Sequence, residues 1–129
     1  MDRAEKFLAA KTFAVAGASN QQHKYGNKVF RALLLSERDT FPLNPNQSVI
    51  EGHQAYASLK DLPVVPESLS IITPPQATRQ VVAEAISVGV KHIWMQPGAE
   101  DQKASESARR AGIEVIDDGR CVLVLLAWQ

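Results

Sequence analysis

The apolar residues of this chain are concentrated in five short runs separated by longer stretches with helical spacing. The runs are TFAVAG (12–17), TFPLNP (40–45), SLSIITPP (68–75), KHIWMQPG (91–98) and IEVID (113–117). Short continuous apolar runs are typical of strands that are buried on both faces of a parallel sheet. Pro42 weakens the second prediction, because proline cannot donate a hydrogen bond to a sheet.

The stretches between these runs carry the signals of helices. Residues 25–37 place Val29, Leu33 and Leu34 on one stripe, which predicts an amphipathic helix. Residues 76–89 and 100–112 predict two further helices that end at glycines. Residues 2–10 predict a short amphipathic helix, and residues 48–63 a loop with one helical turn.

This alternation predicts an α/β fold, a Rossmann-like doubly wound domain with a five-stranded, mainly parallel sheet and helices on both faces. The length of 129 residues predicts a single domain over residues 1–129. In such folds ligands bind beyond the carboxyl ends of the strands. The residues that follow each run are therefore the first candidates for a site.

The segment after the first run, GASNQQHKYG (17–26), has the layout of an anion-binding loop. Gly17 allows a tight turn, and the amides of Ala18 and Ser19 are available to an anion. Lys24 adds a positive charge, and the helix begins near Tyr25 and Gly26, where its N-terminus favours negative charge. The alternative is a plain strand-to-helix loop without a ligand.

Two departures count against NAD as the ligand. The dinucleotide fingerprint G-x-G-x-x-G is absent, because Ser19 stands two places after Gly17. The second strand ends in Asn44-Pro45-Asn46, whereas NAD domains place an acidic residue there to hold the ribose. A nucleotide with a phosphorylated ribose, such as coenzyme A, avoids an acidic residue at this position.

Two more strand ends offer candidate ligand contacts. Thr73, Pro74 and Pro75 form a rigid apolar corner that suits an adenine ring or a pantetheine arm. The same prolines also suit a plain helix start. The segment Gln96-Pro97-Gly98 offers an amide side chain and a tight turn, or simply a chain reversal.

Taken in order, several short motifs resemble the small stand-alone CoA-binding domain proteins, which are similar to the N-terminal domain of the succinyl-CoA synthetase alpha subunit. They are AVAGAS, KYGNKV, PLNPN, IEGHQAYASLKDLP, ITPPQ, WMQPGAE and GRCVLV. The resemblance implies a domain that holds CoA or an acyl-CoA and does not imply the ligase reaction. Carried onto matching positions, it nominates Gly17, Ala18, Ser19, Lys24, Tyr25, Asn44, Pro45, Thr73, Pro74, Pro75, Gln96 and Gly98 as ligand-binding residues.

The charge balance and the few cysteine and histidine residues of the chain argue against several classes of function. Fourteen basic residues balance fourteen acidic ones, which argues against nucleic acid or an anionic membrane as a partner. A single cysteine, Cys121, and the lack of a secretory signal predict a cytoplasmic protein. The histidines and Cys121 show no metal-ligand spacing, and no nucleophile has a base beside it, so we expect neither a metal nor catalysis.

The C-terminal run VLVLLAWQ (122–129) is more apolar than the family resemblance leads us to expect. It predicts either an extra strand or a contact between subunits, and the second reading allows a homodimer. Trp94 and Trp128 are expected in a core or an interface. Two alternative functions stay open, an NAD(H)-binding redox-responsive domain and an interaction protein with a vestigial pocket.

Overall fold

The computed structural model describes residues 1–127, and its main feature is a five-stranded parallel sheet in the order β2-β1-β5-β6-β7. In chain order the elements are α1 (Arg3–Leu8), β1 (Thr12–Ala16), α2 (Tyr25–Leu35), β2 (Asp39–Leu43), β3 (Val49–Ile50), β4 (His53–Gln54), a 3-10 helix (Leu59–Asp61), β5 (Ser68–Ile71), α3 (Pro75–Val88), β6 (His92–Met95), α4 (Gln102–Arg110), β7 (Glu114–Ile116) and α5 (Val122–Leu126). Strands β3 and β4 form a separate antiparallel hairpin.

The predicted α/β fold is confirmed, because the five apolar runs form the five strands of the parallel sheet. Pro42 is tolerated because β2 is an edge strand of that sheet, where one side of the backbone needs no partner. Gly89 ends α3 in the left-handed conformation, with φ of +95°, as the sequence predicts.

The two faces of the sheet are covered by different kinds of side chain. The aliphatic face lies under α3, α4 and the 3-10 helix, and its core comprises Ala14, Ala16, Leu43, Leu59, Leu69, Ile71, Val82, Ala85, Val90, Ile93, Met95, Ala99, Ala104, Ala108, Ile113 and Val115. The aromatic face lies under α1, α2 and α5, and its core comprises Ala4, Phe7, Leu8, Phe13, Val15, Ala18, Val29, Phe30, Leu33, Ile50, Trp94, Ile116 and Val122.

The C-terminal run differs from one of its predicted readings. Residues Val122–Leu126 form the helix α5 on the aromatic face, so the extra strand is wrong. A five-residue apolar run has no period by which sequence can separate helix from strand. The contact between subunits stays a prediction, and Trp128 lies outside the described residues. Within residues 1–127, none of the helices has the length and hydropathy needed to span a bilayer.

Candidate functional site

A cleft of about 420 Å³ opens at the carboxyl edge of the sheet, on the aliphatic face. Its walls are the ends of β1 and β2, the segment before the 3-10 helix, and α3. The lining residues are Ala16, Gly17, Leu43, Asn44, Pro45, Asn46, Ala57, Ser58, Leu59, Thr73, Ala77, Gln80, Val81 and Glu84. Most of these side chains are apolar or neutral, which suits the uncharged part of a ligand.

The position of the cleft follows from the strand order. The chain leaves β1 for β2 on one side, and then crosses to β5 on the other side of β1. Connections that run in opposite directions separate at this point and leave a crevice beyond the strand ends. Gly17 follows β1 and Thr73 follows β5, so these two predicted residues lie on either side of the reversal.

The loop of residues 17–24, called here the first loop, is closed by two glycines that no other residue can replace without movement. Gly17 has φ of +94°, and a Cβ on it would lie 2.0 Å from the carbonyl oxygen of Ile72. A Cβ on Gly26 would lie 1.9 Å from the carbonyl oxygen of Gly17. The first turn of α2 therefore rests directly on the backbone of the first loop.

The first loop also carries the groups an anion would need. Among residues 1–127, the backbone N–H groups of Ser19 and Asn20 have no hydrogen-bond acceptor. Ser19 Oγ accepts a hydrogen bond from the N–H of Gln21 at 3.0 Å, which leaves its own hydrogen free to donate. Lys24 is exposed at the N-cap of α2. Ala18, by contrast, is fully buried in the core of the aromatic face.

Asn44 and Pro45, which follow β2, both line the cleft. The Asn44 side chain is occupied by the protein itself, since it donates to the carbonyl of Ala18 at 2.9 Å and accepts from the N–H of Asn46 at 2.8 Å. Pro45 is exposed at the cleft wall. The residues directly after β2, Asn44, Pro45 and Asn46, are uncharged, whereas NAD-binding domains place an acidic residue there.

The corner after β5 has two roles in the structure. Thr73 lines the cleft, and its hydroxyl is hydrogen-bonded to that of Thr78 at 2.8 Å. Pro74 is the N-cap of α3 and Pro75 is its first residue, so the prolines start a helix. Both prolines are exposed and lie outside the cleft lining.

Gln96 and Tyr25 turn away from the cleft and into the aromatic face. Gln96 is fully buried, and its Oε1 accepts hydrogen bonds from the Tyr25 hydroxyl at 3.1 Å and from the N–H of Val122 at 3.0 Å. The Tyr25 hydroxyl is also hydrogen-bonded to Cys121 Sγ. Burial, reinforced by this contact with Cys121, raises the pKa of Tyr25 well above its usual value.

The turn after β6 completes the set of predicted residues. Pro97 and Gly98 are exposed and lie outside the cleft lining. Gly98 has φ of +97°, and its N–H donates to Glu100 Oε1 at 2.8 Å. The structure therefore brings Gly17, Asn44, Pro45 and Thr73 together in the cleft. The other ten predicted residues lie outside its lining, and they are Ala18, Ser19, Lys24, Tyr25, Gly26, Pro74, Pro75, Gln96, Pro97 and Gly98.

Sequence reasoning missed the wall that α3 contributes. Ala77, Val81 and Glu84 recur at i, i+4 and i+7, a stripe that could have identified this face. Glu84 Oε1 accepts a hydrogen bond from the N–H of Leu59, which joins α3 to the 3-10 helix across the cleft floor. Within residues 1–127, no three His, Cys, Asp or Glu side chains are grouped as metal ligands.

The comparison with known families is decisive. Residues 11–127 match the family described as CoA binding domain. The chain belongs to this family. The match covers both faces of the sheet and every wall of the cleft, so the resemblance carried by the short motifs is confirmed.

Relatives and solved structures agree with the family. Over 121 residues the chain is 26% identical to the acetate–CoA ligase (ADP-forming) II subunit alpha of Pyrococcus furiosus, a match that covers 85% of this chain and 26% of that protein. The chain thus spans about a quarter of this curated relative.

Two solved structures match over most of their length. A conserved hypothetical protein from Pyrococcus furiosus is 36% identical with a TM-score of 0.83, over 89% of this chain and 98% of that one. A hypothetical protein from Pyrococcus horikoshii is 30% identical with a TM-score of 0.90, over 94% of this chain and 85% of that one.

Proposed function

We propose that this protein binds coenzyme A or an acyl-CoA and acts as a binding module without a reaction of its own. The observation that carries the proposal is the family match over residues 11–127, together with a cleft at the strand reversal between β1 and β5. Ligands of doubly wound folds bind at this reversal. The ligase activity named for the curated relative is not part of the proposal, because the chain spans only about a quarter of that protein.

The residues present fit CoA in three respects. A volume of about 420 Å³ is typical of a site for a small organic ligand. At Gly17 and Gly26 backbone packs directly on backbone, so no side chain at these two positions obstructs the approach of a ligand to the first loop. The end of β2 offers Asn44 where a carboxylate would repel a 3′-phosphate.

In this proposal the ligand spans two regions. The diphosphate lies at the first loop, where the N–H groups of Ser19 and Asn20, the start of α2 and the Lys24 ammonium group attract negative charge. The uncharged part of CoA, the adenine ring or the pantetheine arm, lies in the cleft against Pro45 and Val81. Tyr25 and Gln96 support the site from behind without touching the ligand.

The experiment is a calorimetric titration of the ligand-free protein with CoA and, separately, with NADH. Ala77→Phe places a ring in the cleft, whereas the matched control Ala83→Phe places one on the exposed side of the same helix. The proposal predicts that CoA binds more tightly than NADH, that Ala77→Phe weakens CoA binding by at least about tenfold, and that Ala83→Phe leaves it unchanged.

Other outcomes would replace the proposal. Tighter binding of NADH would favour a redox-responsive domain, and binding of neither nucleotide would favour an interaction protein with a vestigial pocket. Equal loss of CoA affinity in both phenylalanine variants would place the ligand outside the cleft. A thermal unfolding curve for each variant verifies that it is folded. That residues 1–129 form one CoA-binding domain and a homodimer stays a prediction.

A further inference from the structure

The two peptide groups after Gly17 are each held by an asparagine side chain. Asn44 Nδ2 donates to the Ala18 carbonyl at 2.9 Å, and Asn27 Nδ2 donates to the Ser19 carbonyl at 2.7 Å. In a planar trans peptide the carbonyl of one residue and the N–H of the next point in opposite directions. The N–H of Ser19 therefore points away from Asn44, and the N–H of Asn20 points away from Asn27.

The Asn27 amide can take only one orientation. Asn27 is fully buried, its Oδ1 accepts from Arg31 Nε at 2.7 Å, and its Nδ2 donates to Glu51 Oε2 at 2.9 Å as well as to the Ser19 carbonyl. A flipped amide would place oxygen against the Glu51 carboxylate and NH₂ against the Arg31 guanidinium. These two charged groups thus fix Asn27 as a donor to the first loop.

Asn44 is fixed in a similar way by a neutral partner. Its Oδ1 accepts from the N–H of Asn46 at 2.8 Å, so its Nδ2 must face the Ala18 carbonyl. Each asparagine donates one hydrogen bond to the loop backbone, and Asn27 donates a second one to Glu51. Each of the two successive peptide groups is therefore held in its own fixed orientation by one asparagine.

We infer that Asn27 and Asn44 are positioning residues, which orient the N–H groups of Ser19 and Asn20 towards the diphosphate of the ligand. The inference rests on the proposed function, since it concerns the first loop of that site. Preorganised N–H donors bind an anion without an ordering cost, whereas free peptides would have to be fixed on binding. Loss of either asparagine should therefore weaken the binding of the phosphate groups selectively.

The test compares ADP, which carries a diphosphate, with adenosine, which carries none. The affinities of both are measured by calorimetry for the wild type, Asn27→Ala and Asn44→Ala. We expect each variant to weaken ADP binding by at least about tenfold while adenosine binding changes less than about twofold. A variant that only loosened the fold would not change the ratio of the two affinities.

Ser68→Ala is the matched control, because Ser68 is fully buried and its hydroxyl donates to the Phe7 carbonyl at 2.8 Å, in β5 and away from the first loop. This control should keep the wild-type preference for ADP over adenosine. If Asn27→Ala does not fold, Asn44→Ala decides the question, because Asn44 is only half-buried.

The outcomes separate the inference from the proposed function. A wild-type protein that binds neither CoA nor ADP overturns the proposed function, and the inference with it. A wild-type protein that binds CoA, combined with an unchanged ADP preference in Asn44→Ala, overturns the inference alone. A reduced ADP preference in Asn44→Ala and not in Ser68→Ala supports it.

Discussion

The two faces of the sheet are built differently, and the cleft at the strand ends lies on one of them. On the aromatic face, Phe7 meets Phe13 and Trp94 edge to face, with ring centroids 5.7 Å and 5.3 Å apart. On the aliphatic face, small side chains such as Ala16 and Ala77 line an open cleft. Large rings fill space close to the sheet, whereas alanines near the strand ends leave it empty.

The difference suggests a division of labour between the faces. The aromatic face supplies stability and holds the first loop in place from behind through α2. The aliphatic face supplies the cleft in which we propose that the ligand binds. Substitutions in the aromatic core away from the first loop should therefore change stability with little change in affinity, and substitutions at the cleft should do the reverse.

The largest expected effect is on the aromatic face. Phe7→Ala removes a fully buried ring from the cluster with Phe13 and Trp94, and should lower the free energy of unfolding by about 3–5 kcal/mol. At the cleft, Val81→Ala removes half-buried methyl groups and should cost about 1 kcal/mol while it weakens CoA binding. Denaturant unfolding measures the free energy of unfolding of each variant. Titration with CoA, at a temperature low enough to keep each variant folded, measures its affinity.

The division fails if the two variants behave alike. A loss of CoA affinity in folded Phe7→Ala as large as that in Val81→Ala would show that the faces are not separable. The faces would also not be separable if Val81→Ala lowered the free energy of unfolding and left CoA affinity unchanged.

A smaller effect is expected at Gly26, where α2 contacts the first loop. Gly26→Ala would bring Cβ into the carbonyl oxygen of Gly17, and the movement needed should cost about 2–3 kcal/mol. It should also displace the first loop and weaken CoA binding. Gly112→Ala is the control. Gly112 has φ of +86°, and within residues 1–127 no atom beyond its chain neighbours lies within 4 Å of the added Cβ, so backbone strain of about 1 kcal/mol is all it should cost.

Gly26→Ala and Gly112→Ala are compared by denaturant unfolding and CoA titration. If Gly26→Ala is no less stable than Gly112→Ala, then the close approach of α2 to the first loop does not constrain the sequence.

The smallest effect concerns pH and the support behind the site. The pKa of Tyr25 is raised in the folded protein, so the folded state keeps the phenol neutral when the unfolded chain has ionised. The contribution of Tyr25 to the free energy of unfolding is therefore complete below the ordinary tyrosine pKa of about 10. It declines as the pH rises above that value. When the free energy of unfolding is measured at a series of alkaline pH values, it should decline less steeply with pH for Tyr25→Phe than for the wild type. If the free energy of unfolding falls with pH equally in both proteins, the neutral Tyr25 phenol does not stabilise the fold.

Most of the fold could be predicted because each buried parallel strand coincides with a continuous apolar run in the sequence, and each run ends in turn residues. The predicted bounds of β1, β5 and α3 agree with the structure to within a few residues. The hairpin of β3 and β4 was missed, since two strands of two residues each carry no periodicity. The run at Val122–Leu126 was ambiguous for the same reason.

The candidate site was predictable only where backbone position alone decides it. Gly17, Asn44 and Thr73 line the cleft because each follows a strand near the reversal. Gln96 also follows a strand, yet its side chain points to the aromatic face. There its Oε1 accepts hydrogen bonds from the Tyr25 hydroxyl and the N–H of Val122. The direction of a side chain at a strand end depends on register, which apolar runs do not specify to one residue.

The most direct test of the central claim is a two-dimensional amide NMR titration of the labelled protein with CoA. We expect the largest shifts on Gly17, Ser19 and Asn20 in the first loop and on Ala77 and Val81 in α3. The amides of α1 and α5, on the aromatic face, should remain within about the error of the measurement. Shifts concentrated on α1 and α5, with the first loop and α3 unaffected, would contradict the claim that the aliphatic face holds the ligand.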